Sequence, residues 1–338
     1  MKIIVDGFGG DNAPLEVLRG CRMAADEYDA QIVLSGSEEK LRAAAEKAGI
    51  SLEGIGILPA ASVLSMEDSP RDVLRAKADS SMAVGLRAVA EGQGDAFVSA
   101  GSTGALAMGA TLIVRPVKGV RRVALATVMP AKKGCYLLLD VGANVECRAE
   151  MLLQFALMGS VYMEQVLGVK NPRVGLVNIG TEETKGTKLQ HEAFALLKAS
   201  TCNFIGNAEA RDIPFGVCDV AVADGFTGNV ILKLTEGVGL VFASTFKKIL
   251  TRSLLTKLGA LTMMKGIAEF KKQIDYTEYG GAPFLGASKP VIKAHGSSNA
   301  VAFKNAVRQA IACAKGDISG KIEANMPAAE APAEESAQ

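Results

Sequence analysis

The chain has 338 residues and a formal net charge of +1, so it can bury a large core and has no global field that would attract nucleic acid. Hydrophobic residues make up 49% of it and aromatic residues only 5%, and 36 residues are glycine. This composition is typical of parallel α/β packing, in which strands are covered on both faces. We therefore predict an α/β protein with no nucleic-acid partner.

The six cysteines are scattered and form no CxxC pair. This pattern predicts small apolar core residues in a reducing compartment, rather than a disulfide framework or a zinc site. The first residues, MKIIVDG, do not resemble a signal peptide. The longest apolar stretches, such as residues 151–163, are too short and too broken to span a bilayer. We predict a cytoplasmic protein that uses no metal and no cofactor.

Strand-like and helix-like segments alternate along the whole chain. The predicted strands are residues 3–6, 32–35, 55–59, 96–99, 123–129, 136–141, 174–179, 204–205 and 217–223. The predicted helices are residues 15–28, 38–48, 69–91, 104–114 and 149–167, with another beginning near Gly228. The alternation predicts a mostly parallel sheet sandwiched by helices. We expect residues 1–324 to form a single α/β domain or two interleaved lobes, and residues 325–338 to be a disordered tail.

The first predicted strand ends in a glycine-rich turn, DGFGGDNAP, that leads into a helix. Pro14 suits the first helical position, and Asp11 or Asn12 can accept hydrogen bonds from the free N–H groups there. Glycine lets the backbone pass close to a ligand such as phosphate, although a tight turn without a ligand would also use it. The candidate binding residues are Asp6, Gly9, Gly10 and Asp11.

Four further turns at predicted strand ends are rich in glycine, hydroxyl and carboxamide groups. They are residues 99–104, 140–144, 178–186 and 223–229. We expect all of them on one edge of a parallel sheet, where their N–H groups could bind an oxyanion. Each alone could be a simple connection, but four together favour a site. The candidates are Ser99, Gly101, Ser102, Thr103, Gly104, Asn144, Asn178, Asp224, Gly225, Thr227, Gly228 and Asn229, with Lys185 as the one lysine in these turns.

Nucleophilic catalysis has no complete residue set in this sequence, since GxSxG is absent and neither histidine has triad-like neighbours. His191 lies in a polar helical run and is predicted to be solvated. His295 follows a strand-like segment and either reaches the candidate edge or is a structural histidine. No HExxH, GxGxxG or GxxxxGK[ST] motif is present, which disfavours a metal site and the common nucleotide sites.

Residues 247–272 carry seven basic residues and one acidic residue among leucines and methionines. Gly259 and Gly266 interrupt this run, which predicts two short amphipathic helices joined at a bend. Such helices bind membrane surfaces or acidic proteins, but they could equally pack on the core or form a dimer interface. The residues predicted to dock are Arg252, Leu254, Lys257, Leu258, Leu261 and Lys265.

Eight motifs in order resemble one bacterial family, the PlsX-type acyl-acyl-carrier-protein:phosphate acyltransferases of phospholipid synthesis. They are VDGFGGDNAP, SAGSTGAL, LDVGAN, VGLVNIGTEETKGT, NFIGNAEARDIPFG, DVAVADGFTGNVILK, YGGAPFLG and VIKAHGSS. The resemblance covers residues 1–322. Two departures are Gly7-Phe8 in place of Ala-Met, and Ser102 in place of the more usual asparagine.

This resemblance implies the fold of phosphotransacetylases and of isocitrate and isopropylmalate dehydrogenases. It also implies transfer of an acyl group from acyl carrier protein to inorganic phosphate, without a cofactor. The implied partners are the acidic carrier protein, an anionic membrane surface bound peripherally, a second copy of the chain and a downstream glycerol-3-phosphate acyltransferase. Phosphate is already anionic, so binding and oxyanion stabilisation are the tasks left to the protein.

The resemblance also suggests roles for the candidate residues. Lys185 would pair with phosphate or the developing oxyanion, and Asn229 would orient phosphate or the carbonyl group. Asn144 and the turn at residues 99–104 would complete the anion site, while Asp6 and Asp11 would hold the first turn. His295 would protonate the leaving thiolate.

Three other functions remain open from the residues. A short-chain phosphate acyltransferase would use acyl-CoA and need a nucleotide pocket. A decarboxylating NAD-dependent dehydrogenase would carry metal-binding aspartates and an arginine cluster, and the sequence shows neither. A non-enzymatic scaffold would bind membrane or carrier protein and form no acyl product.

Overall fold

The computed structural model describes residues 1–267 and 280–326, except the side chain of Leu258. Its strands are β1 (Lys2–Asp6), β2 (Gln31–Gly36), β3 (Ile55–Pro59), β4 (Ala96–Ser99), β5 (Ala124–Pro130), β6 (Cys135–Leu139), β7 (Arg173–Asn178), β8 (Asn203–Glu209), β9 (Val220–Val222), β10 (Ala282–Leu285) and β11 (Val291–Lys293). Its helices are α1 (Leu15–Glu27), α2 (Glu38–Ala48), α3 (Ser81–Ala90), α4 (Thr103–Gly109), α5 (Ala149–Gln165), α6 (Lys188–Lys198), α7 (Gly225–Thr251), α8 (Leu254–Thr262), α9 (Ala300–Lys315) and α10 (Ile318–Asn325).

The described strands form one sheet in the order β3-β2-β1-β4-β11-β10-β5-β6-β9-β7-β8. Neighbours from β3 to β11 are parallel, and so are those from β6 to β8. Between these two halves, β11–β10, β10–β5 and β5–β6 are antiparallel. The predicted mostly parallel α/β sheet is confirmed.

The two halves of the sheet therefore run in opposite directions. Strands β1 and β4 end at one edge, whereas β6, β7 and β9 end at the other. Our expectation that all the glycine turns share one edge was wrong. The reason is the short link between β5 and β6, residues 131–134, because parallel neighbours need a long crossover.

The core lies on both faces of this sheet. Along β1, Ile3 and Val5 belong to one buried cluster, while Ile4 belongs to the other. This alternation follows from the two-residue period of a strand covered on both sides. On α1, Val17, Leu18 and the thiol of Cys21 face the same core. Burial raises the pKa of Cys21 to about 12, in keeping with its predicted role as a core residue.

Two predicted helix starts differ in the structure. Pro14 itself is the N-cap of α1, and no side chain caps this helix. The Asn12 amide instead donates to the carbonyl oxygens of Ser297 and Ser298, so the turn is tied to the segment after β11. The predicted helix 69–91 is divided into a 3-10 turn, Pro70–Leu74, and α3, because Ser80 caps a second start.

Helices α7 and α8 are the protruding amphipathic pair. Helix α7 continues for 27 residues, and Ser253 caps the start of α8. The helical run is therefore interrupted at residues 252–253 and again at Met263, and our prediction that Gly259 and Gly266 interrupt it was wrong because both glycines lie inside helical segments. By its length and composition, helix α7 could cross a membrane, and 6% of its most apolar stretch is buried. Our prediction that the apolar stretches are too short to span a bilayer had missed this helix. Residues 268–272 of the predicted pair and most of the predicted tail, residues 327–338, lie outside the described residues.

Candidate active site

A cleft of about 470 Å³ lies over the centre of the sheet, between the glycine turns of the first half and α7. Its lining residues come from the turn after β1, from the segment between β3 and α3, from the turn after β4 with the start of α4, from β5, from the turn after β6, from α7, from the start of β10 and from the end of β11 with the turn after it. They are Asp11, Met66, Ala100, Thr103, Gly104, Leu125, Thr127, Val128, Val141, Gly142, Asn229, Leu232, Lys233, Glu236, Gly280, Gly281, Ala282, Lys293, His295 and Gly296.

Helix α7 brings residues from the opposite edge into this cleft. Asn229, Leu232, Lys233 and Glu236 share one helical face by their spacing, and that face lines the cleft. The helix starts in close contact with the turn after β6. A Cβ atom on Gly228 would lie 1.9 Å from the Asp140 carbonyl oxygen, so only glycine fits there. Residues from both edges can therefore act on one ligand.

Asp6 holds the first turn against the turn after β4. Its carboxylate accepts hydrogen bonds from the Ser99 hydroxyl at 2.8 Å and from the Phe8 N–H at 3.2 Å. The Ser99 oxygen accepts in turn from the Gly101 N–H at 3.0 Å. Burial raises the pKa of Asp6, although these hydrogen bonds oppose the shift. Gly9 packs so closely that its Cβ would lie 2.8 Å from the Gly101 nitrogen. These residues lie beneath the cleft and shape it.

The turn after β6 is also fixed from within. The buried Asp140 carboxylate accepts hydrogen bonds from the N–H groups of Leu125, Ala143 and Asn144. Desolvation raises its pKa. The Asn144 amide donates to Asp140 and, at 2.8 Å, to the Val123 carbonyl oxygen. The amide nitrogen of Asn144 thus donates both of its hydrogen bonds within the protein.

Asp224 is the N-cap of α7, and Thr227 lies in the first turn of this helix. The Asp224 carboxylate accepts from the Thr227 N–H at 2.9 Å and from its hydroxyl at 2.7 Å. A Cβ on Gly225 would lie 2.4 Å from the Asn144 carbonyl oxygen. Among the candidates in this turn, Asn229 lines the cleft, and its amide forms no hydrogen bond with any other described residue. The amide is therefore free to bind a ligand.

Lys293 lines the same cleft as Asn229, and it was not among the residues predicted from the sequence. It ends β11, directly beside Ser99 of β4. Its ammonium group donates to the carbonyl oxygen of Ala100 at 3.2 Å and to that of Ala294. Burial lowers the pKa of Lys293 to about 8, against the opposing effect of Asp11. Most of this lysine is therefore charged at neutral pH, and it is well placed to bind an anion.

His295 lies at the exposed rim of the cleft. Its Nδ1 lies 2.9 Å from the Ser297 hydroxyl oxygen and 3.3 Å from the Ser297 backbone nitrogen, so Ser297 holds this side of the ring. Burial of part of the ring lowers its pKa, and the lysines at 233 and 293 add to this, while Glu236 opposes it. Lys233 and Glu236, three residues apart on α7, form an ion pair of 3.0 Å on this wall of the cleft.

Helix α4 directs its start toward the cleft, where Thr103 and Gly104 line the wall. Ser102 is its N-cap and accepts from the Ala105 N–H at 3.5 Å. Serine can thus perform the capping that asparagine would perform. The free N–H groups of the first helical turn favour a bound anion.

Asn178 and Lys185 lie elsewhere. Asn178 ends β7 and Lys185 lies in the loop after it, and β6 and β9 separate β7 from β5 in the sheet. The Asn178 amide donates to the Lys185 carbonyl oxygen at 3.0 Å, and the Lys185 side chain is exposed. Neither lines the cleft that holds Asn229, Lys293 and His295.

The predicted docking residues are exposed. Leu254 is 80% exposed and Leu261 65%, and Arg252, Lys257 and Lys265 also face solvent. The side chain of Leu258 lies outside what the structure describes. Within one chain, these apolar side chains are not packed on the core.

Known proteins resemble this chain along most of its length. A sequence model of the family described as "Fatty acid synthesis protein" matches residues 1–321. A phosphate acyltransferase of Clostridium botulinum (strain ATCC 19397 / Type A) is 49% identical over 327 residues, 96% of this chain and 98% of that protein. One of Caldanaerobacter subterraneus subsp. tengcongensis is 47% identical over 311 residues, 92% of each chain.

Solved structures share the fold at low identity. A phosphotransacetylase from Streptococcus pyogenes superposes with a TM-score of 0.66 at 17% identity, over 94% of each chain. A branched-chain phosphotransacylase from Enterococcus faecalis V583 gives 0.56 at 15% identity, over 93% of this chain and 99% of that one. The predicted relationship to the phosphotransacetylase fold is confirmed.

Proposed function

Because the chain belongs to the fatty acid synthesis protein family and is an acyltransferase of the phosphate acyltransferase class, we propose that it transfers a fatty acyl group from acyl-acyl carrier protein to inorganic phosphate. The products are acyl phosphate and the free carrier thiol. The observation that carries this proposal is the cleft itself, whose lining brings together the half-buried Lys293, the start of helix α4 and the free amide of Asn229.

Phosphate binding is the first task of this cleft. We place the anion between the Lys293 ammonium group and the N–H groups at the start of α4, near Thr103 and Gly104. A phosphate oxygen then attacks the thioester carbonyl carbon. Lys293 is held by two carbonyl oxygens and is not paired directly with a carboxylate, so its charge remains available. Phosphate needs no base to become a nucleophile, which suits a cleft without a serine or cysteine triad.

Oxyanion stabilisation is the second task. Attack on the thioester places negative charge on the carbonyl oxygen, and the Asn229 amide is the free donor available to it. Collapse of this intermediate breaks the C–S bond and releases the carrier thiolate. The exposed imidazole of His295 at the rim then donates a hydrogen bond to the departing sulfur, and the thiolate takes its proton from solvent. In this scheme, Lys293 takes the role that we predicted for Lys185, because Lys185 does not reach the cleft.

The test of this function is phosphate-dependent release of thiol. We expect acyl-acyl carrier protein to release thiol only when phosphate is present, and acyl-CoA to react far more slowly. Equal turnover of acyl-CoA would favour the short-chain alternative. Binding of carrier protein without any acyl product would favour the scaffold alternative.

Membrane association is part of the proposed function. Leu254, Leu255 and Leu261 of α8 are exposed, and the cations Arg252, Lys257 and Lys265 lie exposed before, within and after this helix, as in helices that lie on anionic bilayers. A peripheral position on the cytoplasmic face of the membrane would deliver the lipophilic acyl phosphate to a glycerol-3-phosphate acyltransferase. Leucines in this segment would insert, and lysines would meet the lipid headgroups.

We expect the double substitution Leu254→Glu/Leu261→Glu to abolish flotation with anionic liposomes, because it replaces inserted apolar area with charge. Val301→Glu, at another exposed apolar side chain, is the matched control and should float like the wild type. Unchanged flotation of the double variant would contradict the assignment of α8 to the membrane.

A second copy of the chain is the proposed partner of α7. Its residues Val230, Leu234, Val238 and Val241 are each at least half exposed and form a stripe distinct from the face that lines the cleft. An apolar stripe of this length is typical of a helix covered by a partner. Homodimer formation would bury it.

A further inference from the structure

Residues 96–139 contain six basic residues and no acidic residue. Four of the six lie close together in the loop between α4 and β5. They are Arg115, Lys118, Arg121 and Arg122, and all four side chains are exposed. None of them forms an ion pair with a described residue. We call these four residues the basic loop.

The backbone around the basic loop is held in place by hydrogen bonds to α5 and to Gly286. The buried Gln154 side chain on α5 accepts a hydrogen bond from the Arg121 N–H at 2.9 Å and donates to the Gly119 carbonyl oxygen at 2.7 Å. The Val117 N–H donates to the Gly286 carbonyl oxygen at 2.9 Å. Val117 and Val120 are buried, 7% and 8% exposed. The cations are therefore presented from a fixed base, which lowers the entropic cost of binding a partner.

The loop adjoins the cleft. Leu125 lines the cleft and follows Arg122 by three residues, which is about 10 Å of extended chain. Val123 also bonds to Asn144, in the turn that packs against the start of α7. A macromolecule docked on the basic loop would be close enough to extend a flexible arm into the cleft.

Apolar side chains distinguish this surface from the α8 segment. At α8 the cations are mixed with Leu254, Leu255 and Leu261, all strongly exposed, which suits a bilayer. Beside the basic loop, Val117 and Val120 are buried, and the exposed side chains there are the four cations. A purely cationic, rigid surface beside a catalytic cleft matches an acidic protein surface better than lipid.

We propose that the basic loop is the docking site for the acidic carrier protein that brings the acyl thioester to the cleft. This inference rests on the proposed acyl-acyl carrier protein substrate. Residues 247–272 were predicted to bind both the carrier protein and the membrane. In this proposal the carrier protein binds to the basic loop, and the bilayer binds to α8.

The test is a titration of each protein variant with fluorescently labelled acyl carrier protein. We expect Arg121→Glu/Arg122→Glu to weaken binding at least tenfold and to remove most of its salt dependence, because charge complementarity is reversed. Lys257→Glu/Lys265→Glu carries the same change in charge on the α8 segment and should bind like the wild type. The Arg121 backbone N–H remains in the variant, so Gln154 still holds the loop.

Two further measurements distinguish loss of carrier docking from damage to the cleft. Turnover of a small acyl-pantetheine thioester with phosphate should be the same in Arg121→Glu/Arg122→Glu and the wild type, whereas KM for acyl-acyl carrier protein should rise. Loss of both activities would show a damaged cleft and overturn the docking role. The docking role would also be overturned if Arg121→Glu/Arg122→Glu bound the carrier like the wild type, or if only the α8 variant bound it more weakly. The same holds if Arg121→Glu/Arg122→Glu lost binding to anionic liposomes but not to the carrier. If the wild type bound carrier through the loop but made no acyl phosphate, docking would stand and the proposed reaction would fail.

Discussion

Replacing Lys293 with methionine should lower phosphate-dependent thiol release by about 10²–10³-fold, the loss seen when one preorganised electrostatic group is removed from an active site. Methionine fills a similar volume without charge. The folded protein should remain stable, because burial lowers the pKa of Lys293, so its charged form costs free energy in the folded state. Steady-state kinetics with varied phosphate would show the loss.

The matched control is Lys185→Met, which removes a lysine from an exposed loop away from the cleft. We expect it to retain most activity. The pH profile gives a second check: kcat/KM for phosphate should fall as the pH rises through about 8, where Lys293 becomes neutral. Lys293→Arg should shift this fall to higher pH, since a guanidinium group stays charged. Near-normal activity of folded Lys293→Met, with a large loss in Lys185→Met, would reverse our assignment.

Replacing Gly228 with alanine should destabilise the protein by about 3 kcal/mol or more, at the upper end of overpacking costs. The new Cβ would lie 1.9 Å from the Asp140 carbonyl oxygen, so the start of α7 or the turn after β6 must move. Since Asn229 is the next residue, activity should fall together with stability. Chemical denaturation and thiol release measure the two effects.

Gly237→Ala is the control for this change because it lies in the same helix. Its Cβ would meet no atom within 4 Å. Alanine in a helix interior is favoured over glycine by about 0.5–1 kcal/mol, so this variant should be as stable as the wild type or more so. Equal stability of the two variants would contradict the close packing of α7 on the turn.

The sequence predicted most of the strands and helices because their patterns are local. The run 223–229 shows this well: an apolar strand is followed by a capping aspartate and by glycines, and the helix begins there as expected. The relative directions of the strands were less well predicted. The strands at 123–129 and 136–141 are too close in sequence for a parallel crossover. That spacing alone could have predicted their antiparallel pairing, which divides the sheet.

Lys293 shows why part of the site was missed. Its burial depends on the pairing of β11 with β4, almost two hundred residues apart in the chain, and no local pattern encodes that contact. The one local signal is a lysine that ends an apolar strand immediately before Ala-His-Gly. Lys185 carried a stronger local signal, since it lies in a glycine-rich turn, but strand order places that turn away from the cleft.

Acyl phosphate itself is the product to measure, with radiolabelled phosphate as the acyl acceptor. Wild-type protein incubated with acyl-acyl carrier protein and labelled phosphate should yield labelled acyl phosphate in the same amount as free carrier thiol, and no thiol should be released without phosphate. Thiol release that continues without phosphate, or that yields free fatty acid in place of acyl phosphate, would contradict acyl transfer to phosphate.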